Sequence, residues 1–379
     1  MAAADIHHRT ADFRTLYSRV LADLKTFIGT KNDVVMFAAS GTGAMEAAVS
    51  NLTSPDDKVL VISAGKFGER WEALAAAYGC KVEVVSADYG ETVSLDPVKA
   101  RLTPDVRVLY MQATESSTGV RHDVAAIGNL LKQSAGDTLF VVDAITGLGT
   151  TNLDVDACGI DVIIGGSQKA VMIPPGLAYC AVSERAWKRM ETAKSPRFYF
   201  DLRKENKAGS KGESAFTPAI ALIAALASAL DFIRKMGAGD LAAGRNALIE
   251  NAEVCAEMMR EAARGLKLDL FAPNAPSAAV TAIRAPEGVD SGTIVKAFRQ
   301  EFGAVISNGQ GEMQGKIFRM AHLGYFDYLD TIGTIAALEQ ILASVQRPRH
   351  TEFGWGVRAA QSVYARVSAD KRAAVAPRV

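Results

Sequence analysis

Short apolar runs alternate with amphipathic stretches along the first half of the chain. Runs bounded by Gly, Pro, Asp or Ser predict buried strands, whereas apolar side chains three or four positions apart predict helices. This alternation favours an α/β fold, a mostly parallel sheet with helices on both faces. The predicted strands cover residues 33–39, 58–63, 81–86, 106–112, 138–143, 161–165 and 177–182. The predicted helices cover residues 10–29, 44–52, 67–78, 96–102 and 122–134.

The second half follows a different pattern. A polar stretch rich in Lys, Gly and Ser predicts a surface loop over residues 195–214, and Phe216-Thr217-Pro218 predicts the start of a long helix. A smaller α+β domain is predicted from helices over 241–264, 291–302 and 329–345 and strands over 267–270, 279–284, 304–307 and 316–321. We therefore expect a large domain over 1–238 with a short N-terminal arm (1–9), a small domain over 239–347, and a helical extension over 348–379.

Composition narrows the class of protein. The 379 residues include 42 basic and 42 acidic side chains, and this balance predicts neither a nucleic-acid nor an anionic-membrane partner. No apolar run approaches the roughly 20 residues of a membrane-spanning helix, so we expect no membrane association. The four cysteines are scattered without metal-ligand spacing, which predicts reduced thiols, no metal site and a cytoplasmic location.

Two polar residues stand at the ends of predicted strands. Lys169 follows the apolar strand 161–165 on a glycine-rich turn, and Asp143 ends the strand 138–143. The carboxyl ends of parallel strands are where α/β proteins build their sites, so both side chains are expected at one edge. A single lysine in such a turn is most often a solvated side chain. A Schiff-base lysine paired with an acid for a pyridinium nitrogen is what a pyridoxal phosphate (PLP) enzyme needs.

A third strand end carries Ser40-Gly41-Thr42-Gly43, before the predicted helix 44–52. Glycine lets the backbone approach an anion, and the N–H groups of a helix N-terminus favour a phosphate. By itself this pattern is equally typical of an ordinary strand–helix turn with a Ser/Thr cap.

These motifs occur in one order along nearly the whole chain, and in that order the chain resembles the class V aminotransferases of PLP fold type I. Within that family it resembles in particular the alanine–glyoxylate and serine–glyoxylate aminotransferases. The matching stretches are Ser40-Gly41-Thr42-Gly43-Ala44, Gly65-Lys66-Phe67-Gly68, Glu115-Ser116-Ser117-Thr118-Gly119, Val142-Asp143, Gly166-Ser167-Gln168-Lys169 and Phe318-Arg319-Met320.

The resemblance implies a seven-stranded, mostly parallel sheet between helices, a smaller C-terminal domain and PLP as cofactor. It makes Lys169 the catalytic Schiff-base lysine and Asp143 the partner of the ring nitrogen. Arg319 is expected to bind the substrate carboxylate through its planar guanidinium. The other cofactor-binding residues that it implies are Ser40, Gly41, Thr42 and Gln168 around the phosphate, Phe67 on the ring, Ser116 at the phenolic oxygen, and Thr217 from a partner subunit.

The function implied is a ping-pong transamination through a Lys169 aldimine, from serine or alanine to glyoxylate or pyruvate, in a homodimer with its sites at the interface. Alternatives are an aspartate or 2-aminoethylphosphonate aminotransferase, a cysteine desulfurase-like lyase, and a non-catalytic PLP-fold dimer. A desulfurase needs a nucleophilic Cys on a mobile loop, whereas Cys255 falls in a predicted helix.

The sequence departs from the family at two places. An N-terminal Pro-Gly-Pro segment that lines the substrate site is absent before residue 10, so we expect closure over the substrate to differ. Ser214 stands where some members of the family have a tyrosine three residues before the threonine, and a contact of that tyrosine is therefore not expected.

Overall fold

The computed structural model describes residues 6–134, 136–345 and 353–375, with side chains of the last helix described as far as residue 369. The described chain divides into two compact units. The first contains Met1–Glu115 and His122–Leu248, and the second contains Ser116–Arg121 and Ile249–Val379. This division differs from the domain bounds expected from the sequence, at residues 238 and 348, and those bounds stay a prediction.

Helices and strands alternate along the first unit, as the hydrophobic pattern predicts. Its helices are α1 (Ala11–Ile28), α2 (Gly41–Leu52), α3 (Lys66–Ala77), α4 (Leu95–Arg101), α5 (Val124–Gln133), α6 (Glu184–Met190), α7 (Leu202–Gly209) and α8 (Ile220–Met236). Its sheet strands are β1 (Asp33–Phe37), β2 (Lys58–Ser63), β3 (Lys81–Ser86), β4 (Val106–Gln112), β7 (Leu139–Asp143), β8 (Val162–Gly166) and β9 (Ala178–Val182). Two short strands follow β4 along the chain: β5 (Thr114–Glu115) belongs to the first unit and β6 (Val120–Arg121) to the second.

Among the described residues, the seven sheet strands of the first unit lie in the order β1-β9-β8-β7-β4-β2-β3. The neighbours β3, β2, β4, β7 and β8 run parallel, and β9 runs antiparallel to both β8 and β1. The fold type expected from the sequence is thus confirmed, including the antiparallel strand at 177–182. Because β2, β4, β7 and β8 are parallel, their carboxyl ends form one edge.

The two faces of this sheet bury different helices. One face packs against α1, α5 and α8, and the other packs against α2, α3 and α6 through side chains that include Val141 and Tyr110. Side chains alternate along a strand, so Asp143, two positions after Val141, lies on the α2–α3 face. Gln112, two positions after Tyr110, lies on the same face. This face therefore carries the strand-end polar residues.

Three local predictions in this unit were wrong. The predicted loop 195–214 contains helix α7, because Asp201 accepts hydrogen bonds from the N–H groups of Arg203 (3.0 Å) and Lys204 (3.3 Å). Helix α2 begins at Gly41 rather than at residue 44, and helix α8 begins at Ile220 instead of at the Thr217-Pro218 pair. The polar composition of α7 is also typical of a surface loop, so composition alone did not reveal this short helix.

The glycines of α2 serve packing and not flexibility. A Cβ at Gly41 would lie 2.2 Å from Ile145 Cδ1, and one at Gly43 would lie 2.8 Å from Phe200 Cζ. Ser40 is extended at the N-cap position, with φ −74° and ψ 166°. The glycine-rich stretch therefore forms the first helical turn, held close against its neighbours.

The second unit contains most of the long helix α9 (Leu241–Gly265) and a three-stranded antiparallel sheet, in the order β10-β12-β11, among the residues described. The predicted strand 267–270 is wrong: Leu270 makes an isolated bridge to Ile283 there. The other elements of this unit are β10 (Val280–Arg284), α10 (Ser291–Phe302), β11 (Ser307–Asn308), a 3₁₀ turn at Gly311–Met313, β12 (Ile317–Ala321), α11 (Tyr328–Val345) and α12 (Trp355–Val375).

Candidate active site

The carboxyl end of β7 carries a buried carboxylate. Asp143 is 5% exposed, and among the described residues the Ile145 N–H is the one hydrogen-bond donor to it, at 2.8 Å. Burial raises the pKa of Asp143 to about 6, because desolvation disfavours the charged form. The Ile145 N–H lowers this pKa and the Glu115 carboxylate raises it. A nearby cation or positively charged N–H donor would stabilise the ionised form of a carboxylate in this environment.

The loop after β8 presents Lys169 on the same edge. Lys169 is half-buried, and its charge lowers the pKa of Asp143, as does that of Arg70. Its carbonyl accepts a hydrogen bond from the Met172 N–H (3.0 Å), and Met172 has φ 62°, in the left-handed region that a non-glycine residue seldom adopts. The structure thus brings together the lysine and the acid that the sequence pairs.

Ser167 holds the lysine loop in place. Its buried hydroxyl donates to the Pro174 carbonyl (2.8 Å) and accepts from the Leu177 N–H (3.1 Å). Its backbone N–H donates to the Leu177 carbonyl (2.9 Å), and its carbonyl accepts from the Ile173 N–H (3.2 Å). One small side chain therefore closes the loop on which Lys169 stands.

The N-terminus of α2 lies near the same residues. Ile145, two positions after Asp143, packs where a Cβ of Gly41 would lie, and it is 3.2 Å from the corresponding position at Gly166. The Thr42 hydroxyl accepts a hydrogen bond from Arg70 Nη1 at 3.1 Å. Ser40 is exposed. The first N–H groups of a helix have no intrahelical acceptor, so this turn can bind an anion.

The N-terminus of α3 is held by a carboxylate that the sequence did not single out by itself. Glu115, which is fully buried, accepts hydrogen bonds from the N–H groups of Phe67 (3.1 Å) and Gly68 (3.2 Å). A Cβ at Gly68 would lie 2.5 Å from Ser63 Cα, so only glycine allows this approach to β2. Glu115 thereby fixes the backbone from which the Phe67 side chain projects.

Arg70 is a second residue that sequence reasoning missed. Its guanidinium carbon lies 4.8 Å from the centroid of the Phe67 ring, one helical turn earlier. The same group reaches Thr42, which belongs to another helix. The i, i+3 spacing of an aromatic and an arginine was the one signal in the sequence that could have found it.

The buried polar atoms of this edge fit the expected cofactor. Gln168 Oε1 is buried and, among the described residues, has no hydrogen-bond partner. Rotation of the amide would offer an N–H to a phosphate in its place. Asp143 fits a protonated pyridine nitrogen, because that N–H supplies both a donor and the opposite charge. Ser/Thr hydroxyls and a helix N-terminus fit the phosphate.

Two predicted site residues belong to the second unit. Arg319 is buried on β12, and its Nε and Nη2 donate to the Asn308 carbonyl at 3.1 and 2.9 Å. Arg319 Nη1 donates to the Ser116 carbonyl at 2.6 Å. Carbonyl oxygens accept from Arg319 in all three of these contacts, and they fix the plane of the guanidinium.

Other expectations have mixed outcomes. Thr217 is exposed, so its predicted contact with a cofactor of the partner subunit stays a prediction. His7, His8 and Arg9, of which the first two stack at 4.6 Å, lie before α1. The residues described contain no group of three or more His, Cys, Asp or Glu that could hold a metal ion, and no described helix is long and apolar enough to cross a membrane.

Comparison with known proteins places the chain in a family. The model of the family described as Aminotransferase class-V matches residues 2–318. The chain is 38% identical over 371 residues to a "Soluble hydrogenase 42 kDa subunit" of Anabaena cylindrica, covering 96% of this chain and 94% of that protein. It is 31% identical over 367 residues to a "Serine--glyoxylate aminotransferase" of Methylorubrum extorquens, covering 94% and 89%.

Among solved structures, the chain is similar to the aspartate aminotransferase of subgroup IV from Thermus thermophilus. The two chains are 32% identical with a TM-score of 0.83, and the match covers 91% of this chain and 94% of the other. The likeness to this solved structure agrees with the mostly parallel seven-stranded sheet described above. The chain therefore belongs to the class-V aminotransferases, a family of PLP-dependent transaminases.

Proposed function

We propose that this transaminase moves an amino group from serine or alanine to glyoxylate or pyruvate, with Lys169 as its Schiff-base lysine and general acid–base. The observation that carries this proposal is the placement of Lys169 and Asp143 at one sheet edge, close enough for the lysine charge to lower the pKa of the acid. The reaction has two half-reactions, so the product of the donor leaves before the acceptor binds.

Asp143 acts on the ring nitrogen of the cofactor. Its burial makes an isolated carboxylate costly, and a protonated pyridine nitrogen removes that cost. PLP, when bound, supplies an electron sink for the charge that develops at the substrate Cα. Asp143 keeps the nitrogen protonated and so preserves this property of the ring.

Lys169 moves a proton. With the cofactor bound, the free Lys169 amine would take the proton from the substrate Cα and return it at C4′, as general base and then general acid. The Ser167 contacts restrict the loop, so the amine stays near both atoms. The Phe67 ring, whose backbone N–H donates to Glu115, would stack on the cofactor ring.

Ser40, Gly41 and Thr42 at the N-terminus of α2, with Gln168 in the lysine loop, would hold the phosphate. Thr217 of a partner subunit and Ser116 complete the cofactor contacts. Arg319 binds the substrate α-carboxylate, and the carbonyl oxygens of Asn308 and Ser116 hold its guanidinium in the plane needed for a two-pronged interaction. A single substitution at each of these residues would test its assigned contact.

A homodimer is the proposed assembly. Phe198 is 72% exposed, Tyr199 stacks on Phe216 at 4.8 Å, and this aromatic group adjoins the exposed Thr217. Apolar rings beside a residue expected to reach a neighbouring site support a contact with a second copy. The four free cysteines support the cytoplasm as its location.

The donor has close alternatives. Relatives named for serine and for aspartate are similar to this chain to about the same degree, and both donors, with 2-aminoethylphosphonate, remain candidates. A desulfurase is disfavoured because Cys255 is buried in α9, where burial raises the pKa of its thiol. A non-catalytic PLP-fold dimer would retain the cofactor and respond to no amino donor.

The absorption spectrum of the purified protein tests the proposal, with L-serine, L-alanine, L-aspartate or 2-aminoethylphosphonate added singly. Serine or alanine should abolish the visible band, and glyoxylate should restore it. A response to aspartate or 2-aminoethylphosphonate alone would reassign the donor. A visible band that none of them moves would favour the non-catalytic dimer. Absence of a band in both wild type and Lys169→Ala after PLP addition would overturn the assignment of the site.

A further inference from the structure

Arg70 joins three parts of the candidate site that come from different stretches of the chain. Its Nη1 donates to Thr42 Oγ1 at 3.1 Å, at the N-terminus of α2. Its guanidinium lies 4.8 Å from the centroid of Phe67, on α3. Its charge also acts on Asp143, at the end of β7. The function proposed above assigns no role to this half-buried cation.

The phosphate of the cofactor requires a positive charge. A phosphate monoester carries about −1.5 to −2 charges at pH 7, whereas a helix N-terminus offers about half a positive charge. Ser40, Thr42 and Gln168 are neutral, and Lys169 is committed to the reacting carbon. Arg70 is the cation that contacts a residue of the proposed phosphate cup.

The Arg70–Thr42 hydrogen bond also has a direction. A guanidinium only donates, so the Thr42 oxygen must accept. Its own O–H is then left to point elsewhere, and the anion at the α2 N-terminus is the acceptor that it suits. The stacking of Arg70 on Phe67 holds the guanidinium plane while this occurs.

We propose that Arg70 is a positioning residue for the cofactor phosphate: it orients the Thr42 hydroxyl toward the phosphate and supplies the countercharge. This inference rests on the proposed cofactor site. It predicts discrimination between PLP and pyridoxal, which is the same molecule without the phosphate. A residue that only stabilised the fold or the ring would affect both ligands alike.

The test compares equilibrium binding of PLP and of pyridoxal by the full-length protein after removal of its bound cofactor. We expect Arg70→Gln to lower the ratio of PLP to pyridoxal affinity about tenfold, because a charge-assisted contact is lost. Arg70→Lys keeps the positive charge but loses the planar set of guanidinium N–H donors. Its ratio of PLP to pyridoxal affinity should lie between those of Arg70→Gln and wild type. Lys66→Gln is the matched control: this cation stands one turn earlier on α3 and pairs with Glu69.

A second variant shows whether Thr42 transmits the effect. Thr42→Val should itself lower the ratio, and adding Arg70→Gln to it should change the ratio by clearly less than tenfold. A ratio within twofold of wild type in Arg70→Gln would overturn the inference, as would an equal loss of both ligands. If wild-type protein forms no borohydride-trapped adduct at Lys169 with either ligand, the proposed function has failed instead.

Discussion

Two buried carboxylates, one in each unit, have opposite surroundings. Glu339 on α11 is 3% exposed and accepts hydrogen bonds from the N–H groups of Gly354 (2.7 Å), Gly356 (2.8 Å) and Val357 (3.1 Å). Asp143 is 5% exposed and has the Ile145 N–H as its one described donor. Equal burial thus leaves one acid satisfied and the other in need of a partner.

We infer from this difference that Glu339 is a structural acid and that Asp143 is a candidate functional one. Glu339 caps the N-terminus of α12, where backbone N–H groups and the helix dipole both favour an anion. Asp143 lies among side chains that offer less stabilisation, and its pKa rises to about 6. Proteins retain such an unfavourable carboxylate where a ligand completes it, and a perturbed pKa in a pocket marks a candidate functional site.

The largest expected effect is at the lysine beside Asp143. Lys169→Ala should lower kcat by about 10³-fold or more, because it removes both the covalent attachment and the acid–base group. Steady-state kinetics with the responsive donor measure this. Lys188→Ala, on α6, is a control that should leave kcat unchanged. A Lys169→Ala enzyme within tenfold of wild type would exclude this lysine as the catalytic group.

Removing the Glu339 carboxylate should lower the stability of the fold and leave catalysis unchanged. Glu339→Ala leaves three backbone N–H groups without their acceptor, and we expect a loss of about 2–4 kcal/mol in the free energy of unfolding. Urea denaturation measures it. Glu257→Gln removes the surface ion pair with Arg366 and should cost less than about 1 kcal/mol, so it is the matched control. Equal costs for the two substitutions would contradict the capping role of Glu339.

Neutralising Asp143 should raise the free energy of unfolding, whereas removing Glu339 should lower it. The pKa of Asp143 is about 6 in the fold and near 4 in the unfolded chain, so the cofactor-free protein loses stability as pH rises from 4 to 6. Above pH 6 the loss is complete, at about 2–3 kcal/mol. At pH 8 the cofactor-free Asp143→Asn variant should therefore be more stable than the cofactor-free wild type. This difference in stability should vanish near pH 4.

Denaturation of the cofactor-free proteins at both pH values measures this difference. The same substitution should weaken cofactor binding, since the amide cannot pair with a protonated ring nitrogen. Asp137→Asn, an exposed acid before β7, provides the control and should show no such pH-dependent difference. A wild-type protein that is the more stable at pH 8 would show that Asp143 is already compensated.

The smallest effect should come from loosening the lysine loop. Ser167→Ala removes a hydroxyl that joins Pro174 and Leu177, at a cost of about 1–2 kcal/mol in the free energy of unfolding. Ser167→Cys is a control of similar volume, and it should restore only a small part of the stability that Ser167→Ala loses. If Ser167→Ala and wild type unfold at the same urea concentration, the loop is held by its other contacts.

Much of the fold was predictable because local patterns decide local structure. Strands β2, β3 and β4 were predicted with their observed bounds, since each is an apolar run between turn residues. Helix α7 was missed because it is short and most of its residues are polar or charged, a composition that is also typical of a surface loop. The start of α8 was misplaced because Thr217 and Pro218 have the composition of a cap, while the chain begins the helix at Ile220.

The sequence by itself determined which groups can do chemistry and in what order they occur. Lys169 and Asp143 end apolar strands, and parallel strands bring their carboxyl ends to one edge whatever the packing details. Residue type and strand order therefore sufficed to pair the lysine with the acid, whereas the family was predicted from the resemblance of the motifs to known members.

Only the tertiary structure decided how these groups are supported. The contacts of Arg70 with Thr42, of Glu115 with Phe67, and of Ser167 with Pro174 depend on how helices and loops pack. The raised pKa of Asp143 has the same origin, because desolvation is a property of everything packed around a group and not of its neighbours in sequence. A linear pattern records the period of burial along an element, but it does not record which distant side chain completes a given hydrogen bond.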